Sequence, residues 1–300
     1  MHARRRMIIE NPYATGQGGN WLRGNLHAHT TASDGHQPIQ EVINAYARHG
    51  YDFLMISDHD LLTGPGEYAQ LDAHGLMLIA GNEVTAGGPH LLHVNAERRV
   101  EPNPDRQVVI DAIKAGDGFA VMNHPNWLAD FNHCSFEQLS RWQGYLGLEI
   151  YNGTIHRLNG SPYATDKWDR LLSAGRRVWG FANDDSHLPV ADVALGWNMV
   201  WTGERSVAAV LEAFRCGRFY ASTGVTITGI TVTGTRIRIE TADADCIVAV
   251  RQEGQEIAQA DARILEIEVP AGSRYVRFEC LGHGRKAAWT QPFHIRAGTP

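Results

Sequence analysis

Between Arg23 and Gly217 the chain alternates short apolar runs with longer amphipathic stretches. Residues 53–56 (FLMI), 76–80 (LMLIA), 119–122 (FAVM), 146–150 (LGLEI) and 177–182 (RVWGFA) have the length and apolarity of strands buried in a parallel sheet. Between them the period changes to 3.6. Ile39, Val42, Ile43, Tyr46 and Ala47 share one face behind Pro38 and stop at Gly50. Val109, Ala112 and Ile113 share another behind Asp105, a good helix cap. Trp168, Leu171 and Leu172 mark a third helix, and residues 206–217 a fourth. Strands alternating with helices predict a parallel α/β arrangement, and residues 20–222 read as an α/β barrel behind a polar, Gly-rich lead-in over 1–20.

After Thr223-Gly224 the period becomes two. Segments 226–233, 236–240, 246–250, 264–269, 275–281 and 293–295 alternate apolar and polar residues between Gly, Asp and Pro turns, with no helical stretch among them. They predict a small antiparallel β-sandwich over 223–300. This part has no dense group of ligating side chains, so its expected role is structural or docking.

Composition adds limits. Of 300 residues, 43% are hydrophobic and 20% charged, an ordinary globular balance. The net charge of −6 argues against a surface built to coat nucleic acid. Cys134, Cys216, Cys246 and Cys280 form no CxxC pair, which argues against a cysteine zinc site and for reduced thiols. Residues 1–10 are basic without the apolar run of a secretory signal, and no later segment is long enough to span a bilayer. The expectation is a cytoplasmic protein acting on a small molecule, with neither membrane nor nucleic acid as partner and a homo-oligomer left open.

The chemistry gathers where strands end. Residues 24–35 (GNLHAHTTASDG) place His27 and His29 on one side of an extended segment, with Asp34 in the loop that follows. Asp58-His59, Glu83, His93, His124, Asp185 and His187 stand at the ends of later runs. Strand C-terminal ends are where α/β barrels build their sites, and a metal cluster would satisfy such a group of buried polar side chains together. Imidazole mixed with carboxylate suits zinc, iron or manganese. Arg157, Lys167 and Arg176 are candidates to hold a substrate anion, and Trp127 and Tyr151 to line the pocket. No GxSxG elbow or P-loop offers a rival mechanism.

From Gly24 to Gly224 the sequence resembles the PHP family, named for polymerase and histidinol phosphatase domains. LHAH with Ser33-Asp34-Gly35 is similar to the family's first motif and Ser57-Asp58-His59-Asp60 to its second. Glu83 with His93, Asn123-His124-Pro125 and Asp185-Ser186-His187 are similar to the later ones. The contexts of Glu83, His93, Glu149 and Asp184 resemble the branch that includes carbamate-insecticide hydrolases. The resemblance implies a distorted seven-stranded barrel with two or three divalent ions. One ion would take His27, His29, Glu83 and Asp185; a second would share Glu83 and add His93 and His124; a third position would use Asp34, His59 and His187. His90 competes with His93, and the HVNA context favours His93. Asp184 would orient a neighbour rather than bind metal.

A Glu83 bridge implies cations about 3.5–4 Å apart and a bridging hydroxide near neutral pH. The expected activity is that of a metal-dependent phosphoesterase in which Glu83, Asp185, His187 and His59 serve catalysis. Carbamate, ester or amide hydrolysis by the same centre is the near alternative. A metal-binding module without turnover is the rival from another class.

Overall fold

The computed structural model describes residues 7–14, 18–188 and 190–298. Residues 1–6, the Gln17 end of the glycine-rich lead-in and the last two residues lie outside the described ones. The fold is mixed α/β, with many strands and few helices.

The helices form where the 3.6 period predicts them. Ile39–Arg48 buries Val42, Ile43, Ala45 and Tyr46. Arg106–Lys114 starts at Asp105, whose side chain accepts from the Gln107 N–H. Thr165–Ser173 buries Trp168, Leu171 and Leu172. Val207–Cys216 is capped by Ser206 and ends at Gly217, whose φ of 75° suits a residue without a Cβ. A further short helix, Phe136–Arg141, forms behind a Ser135/Gln138 capping box.

The strands depart from an all-parallel barrel. One five-stranded sheet runs through Gly81–Val84, Leu91–Val94, Phe119–Met122, Gly147–Asn152 and Trp179–Asn183, and its first two pairings are antiparallel. Asn20–Asn25, Phe53–Met55 and Met77–Ile79 pair in parallel in a second sheet, which Trp197–Thr202 joins antiparallel. No continuous ladder closes the two sheets into a ring among the described residues. Short links stand in for it. Ala28 bridges to Ser186 and His59 to Glu83, while the Asn198 amide brackets Ala182, accepting from its N–H and donating to its carbonyl.

The second sheet does not stop at the boundary expected near residue 222. Phe219–Ser222 pairs with Ala287–Thr290, and the ladder continues through Tyr275–Leu281 to Cys246–Arg251 and Phe293–Ala297. Met7–Glu10, read as lead-in, is an edge strand on Phe293–Ala297. A three-stranded antiparallel sheet of Ile227–Thr233, Arg236–Thr241 and Ile264–Glu268 shares a core with these strands. Ile237, Ile239 and Leu265 pack there with Ala249, Val276 and Phe278. Among the described residues no helix is long and apolar enough to cross a membrane.

Candidate metal centre

The segment after Asn20–Asn25 is held in place by backbone. The Asp185 N–H donates to the His27 carbonyl (3.0 Å) and the His29 N–H to the Ser186 carbonyl (2.9 Å), which sets the two segments that carry candidate ligands side by side. Asp58 fixes the next loop, accepting from Thr30 N–H (2.8 Å), Thr30 Oγ1 (2.7 Å) and Ser33 Oγ (2.5 Å). Asp34 leaves from that loop. A Cβ on Gly35 would stand 2.5 Å from the His29 carbonyl, so glycine is required where the loop folds back. Asp184 accepts from the N–H groups of Ala194, Leu195 and Gly196 and from Tyr46 Oη, and so anchors the loop behind His187.

Glu83 is the centre of the constellation. Its carboxylate is fully buried and lies 2.8 Å from His59 Nδ1, 3.2 Å from His90 Nδ1, 3.3 Å from both His27 Nε2 and His124 Nε2, and 3.7 Å from His29 Nε2. Asn123 Nδ2 donates to it at 2.6 Å. Asp185 Oδ1 stands 3.1 Å from His27 Nε2 and 3.1 Å from His29 Nε2. On the open side Asp34 meets His59 Nε2 and His187 Nε2, each at 3.3 Å.

Glu149 lies behind this set. It accepts from His27 Nδ1 (2.8 Å), the His124 N–H (2.9 Å), Asn152 Nδ2 (2.9 Å) and Asn183 Nδ2 (2.9 Å). A carboxylate on Nδ1 fixes the imidazole tautomer and presents Nε2 to a ligand. His124 (φ 28°) and Asp185 (φ 55°) both hold left-handed backbone conformations, which for residues with a Cβ cost of order 1–3 kcal/mol.

The donor set fits divalent ions. Ligand atoms converge in the groups His27–His29–Asp185, His27–Glu83–His124, His59–Glu83–His90 and His29–Asp34–His59–His187. Buried atoms within them, including His27 Nε2, His29 Nδ1, His90 Nδ1 and Glu83 Oε2, have no hydrogen-bond partner. Charge leads to the same need. Burial pushes the Glu83 carboxyl up, but His27, His90 and His124 outweigh it and hold it well below the usual carboxylate range. Burial opposes protonation of His27, yet Asp185, Glu149 and Glu83 raise it well above an ordinary histidine. His59 is opposed by burial and raised to about 10 by its bonds to Asp34 and Glu83. The carboxylates thus draw protons onto His27 and His59; cations would balance the negative charge instead and leave these imidazoles neutral as ligands.

Of the residues singled out from sequence, His27, His29, Asp34, His59, Glu83, His124, Asp185 and His187 come together. His93 does not. Asn82 pairs with His93 and Glu83 with Leu92, so His93 takes the face opposite Glu83. Its ring packs against Gly118, beside Arg98 and Ile113. His90, three positions earlier, occupies the place expected of it.

The substrate candidates divide as well. Trp127 lines the cavity and sits against the rings of His124 (5.2 Å) and His90 (5.7 Å). Arg157 reaches the wall but is engaged bidentately by Asp192, Nε at 3.0 Å and Nη2 at 2.8 Å. Lys167 is buried and donates to the carbonyls of Pro125, Phe131 and Cys134, which ties down the loop after His124. Arg176 donates to the carbonyls of Leu139, Ser140 and Trp142, at the end of a helix. Tyr151 stacks on Trp289 and faces a different cavity. Sequence reading missed His133, whose Nε2 accepts from the His90 N–H, and left Glu149 without a role. A carboxylate inside the wholly buried strand Gly147–Asn152 was the available signal for Glu149.

The cavity over this centre has a volume of about 350 Å³. No protein-family model matches the sequence, and no curated protein matches it. Among solved structures, a two-domain protein of Bacteroides vulgatus containing a predicted PHP-like metal-dependent phosphoesterase superposes with a TM-score of 0.56 at 16% identity, over 97% of this chain and 99% of that one. The two share a fold, and the match extends through the C-terminal strands. A Bifidobacterium adolescentis protein described as a metal-dependent phosphoesterase gives a TM-score of 0.43 at 18% identity over 55% of this chain and 88% of its own. An amidohydrolase of Chromobacterium violaceum gives 0.42 at 17% identity over 64% and 96%.

Proposed function

We propose that this chain is a metal-dependent phosphoesterase of the PHP type, using two or three divalent ions of zinc, manganese or iron. The observation that carries the reading is the Glu83 carboxylate, buried with five imidazoles within 3.7 Å. The fold shared with the Bacteroides vulgatus protein supports it.

His27, His29, Glu83 and Asp185 would hold one ion, Glu83 with His90 and His124 a second, and Asp34, His59 and His187 a third where occupied. Bound ions would activate a water for attack on phosphorus and offset the negative charge that develops. The protein's own part is positioning. Glu149 orients His27 and, through the backbone, His124. Asn123 holds one Glu83 oxygen, and Trp127 screens one side from water. Where that third position is empty, His59 and His187, facing the cavity on either side of Asp34, would hold or pass a proton at the leaving oxygen. Residues 223–300 brace the α/β part and supply none of these groups.

Metal analysis of untreated protein, followed by chelation and a panel of phosphate monoesters, diesters and carbamates, tests the reading. Two or three ions per chain and a phosphate ester turned over only with metal are expected. Full turnover in a chelated, metal-free sample contradicts it. Cleavage of carbamates with no phosphate ester among the substrates assigns the centre to carbonyl chemistry instead.

A further inference from the structure

Set aside the seven candidate ligands that face the cavity, and its wall consists of His36, Trp127, Thr154, Ile155, Arg157, Leu158 and Leu188. The polar members of this wall are nearly all committed. The Thr154 hydroxyl donates to the Asp185 carbonyl at 2.5 Å. Arg157, the one permanent cation, is balanced by Asp192, whose Oδ2 also accepts from the N–H groups of His187 and Leu188. What remains is the Arg157 Nη1 group, one exposed imidazole, His36, and four apolar side chains.

Of the exposed apolar side chains, Leu158 lines the cavity itself. Among the described residues eight large hydrophobic side chains are more than a third exposed, and five of them, Leu61, Leu128, Phe131, Leu158 and Val190, lie on loops that follow site-bearing strands. Two of these loops are joined: the Leu128 N–H donates to the Asn159 carbonyl, and Trp127 bridges to Gly160. Leu128 (φ 78°) and Phe131 (φ 55°) also hold left-handed backbone conformations that glycine or asparagine would occupy more cheaply.

We infer that the group leaving from the phosphorus is apolar and uncharged, the alkyl or aryl part of a hydrophobic alcohol, and that Trp127, Ile155, Leu158 and Leu188 receive it. A sugar or nucleotide leaving group would set most of its hydroxyls against four apolar side chains, with only His36 and the Arg157 Nη1 group to pair them. An apolar group gains about fourfold in affinity for each methylene buried. This inference rests on the phosphoesterase reading for the phosphorus and on the wall alone for the apolar part, and the test separates them.

Calorimetry on the metal-loaded full-length protein compares methyl-, propyl- and hexylphosphonate, which are not hydrolysed. A second series, from aceto- to octanohydroxamate, carries a metal-chelating head without phosphorus. In both, affinity is expected to rise two- to fourfold per methylene over the first three or four carbons. Leu158→Ser with Leu188→Ser should lower the ratio of long-chain to short-chain affinity at least tenfold. A slope in the hydroxamates with no phosphonate bound upholds the wall and removes the phosphoester reading. Flat series, or 2,3-dihydroxypropylphosphonate bound more tightly than hexylphosphonate, overturn the inference.

Discussion

His90 and His93 show what one residue can and cannot reveal. They are three positions apart, so an extended chain sends them to opposite faces. All four residues of Leu91–Val94 are buried, and that strand therefore has no polar–apolar alternation to mark the face turned to the cavity. Local motif similarity favoured His93, whereas pairing with Gly81–Val84 places His90 beside Glu83. The two substitutions should differ accordingly. His90→Gln is expected to lower metal content by one ion and turnover by ~10²-fold or more, while His93→Gln keeps both, read by metal analysis and kinetics on the same preparations. His93 should appear in the pH dependence of stability. Burial, with Arg98 nearby, lowers it to about 4. An unfolded histidine takes its proton near 6.5, so the contribution is present above that pH and is lost as pH falls towards 4, up to ~3 kcal/mol. Urea titrations between pH 7 and 4 should show a shallower acid loss for His93→Gln than for the parent. An equal acid loss in both would contradict the buried neutral imidazole.

At the scale of elements, the four longer helices were legible because each keeps an apolar face, and the loops bearing candidate ligands because polar residues interrupt apolar runs at strand ends. Pairing direction was not. A run such as FAVM carries the same apolar signal whether its neighbour is parallel or antiparallel, so the antiparallel pairs of the five-stranded sheet left no trace in composition. Lys167 and Arg176 were misleading for a related reason. A cation bonded to backbone carbonyls reads, in sequence, like one waiting for an anion. Lys167→Met removes the donor that gathers the Pro125, Phe131 and Cys134 carbonyls. It should loosen the loop bearing Trp127 and His133, costing about 2–4 kcal/mol of stability, with faster proteolysis between residues 127 and 134. A variant as stable and as resistant as the parent would remove that role.

Across the whole molecule the C-terminal strands continue a sheet of the α/β part, and a buried ion pair locks the two together. Arg277 Nε and Nη2 meet Asp169 Oδ1 and Oδ2 at 2.7 and 2.5 Å, and Tyr275 Oη donates to the same carboxylate at 2.8 Å. The alternation in residues 275–281 marked a strand, but nothing in it named a partner on the helix Thr165–Ser173. Removing one charge strands the other, so Asp169→Leu should destabilise by about 3–5 kcal/mol in thermal or urea melts, and Asp169→Leu with Arg277→Leu by less. If the double variant is the less stable of the two, the pair is not what joins these parts. The joining of sheets does not itself supply the proposed chemistry, which would rest on Glu83, the carboxylate that five histidines approach within 3.7 Å. Glu83→Gln keeps size and removes the charge that would hold cations close together. The most direct measurement counts metal in purified Glu83→Gln and assays the best phosphate ester on the same sample. Loss of at least one ion per chain, turnover lower by ~10³-fold or more and a melt close to that of the metal-free parent are expected. Parental metal content together with parental turnover would contradict the centre described here.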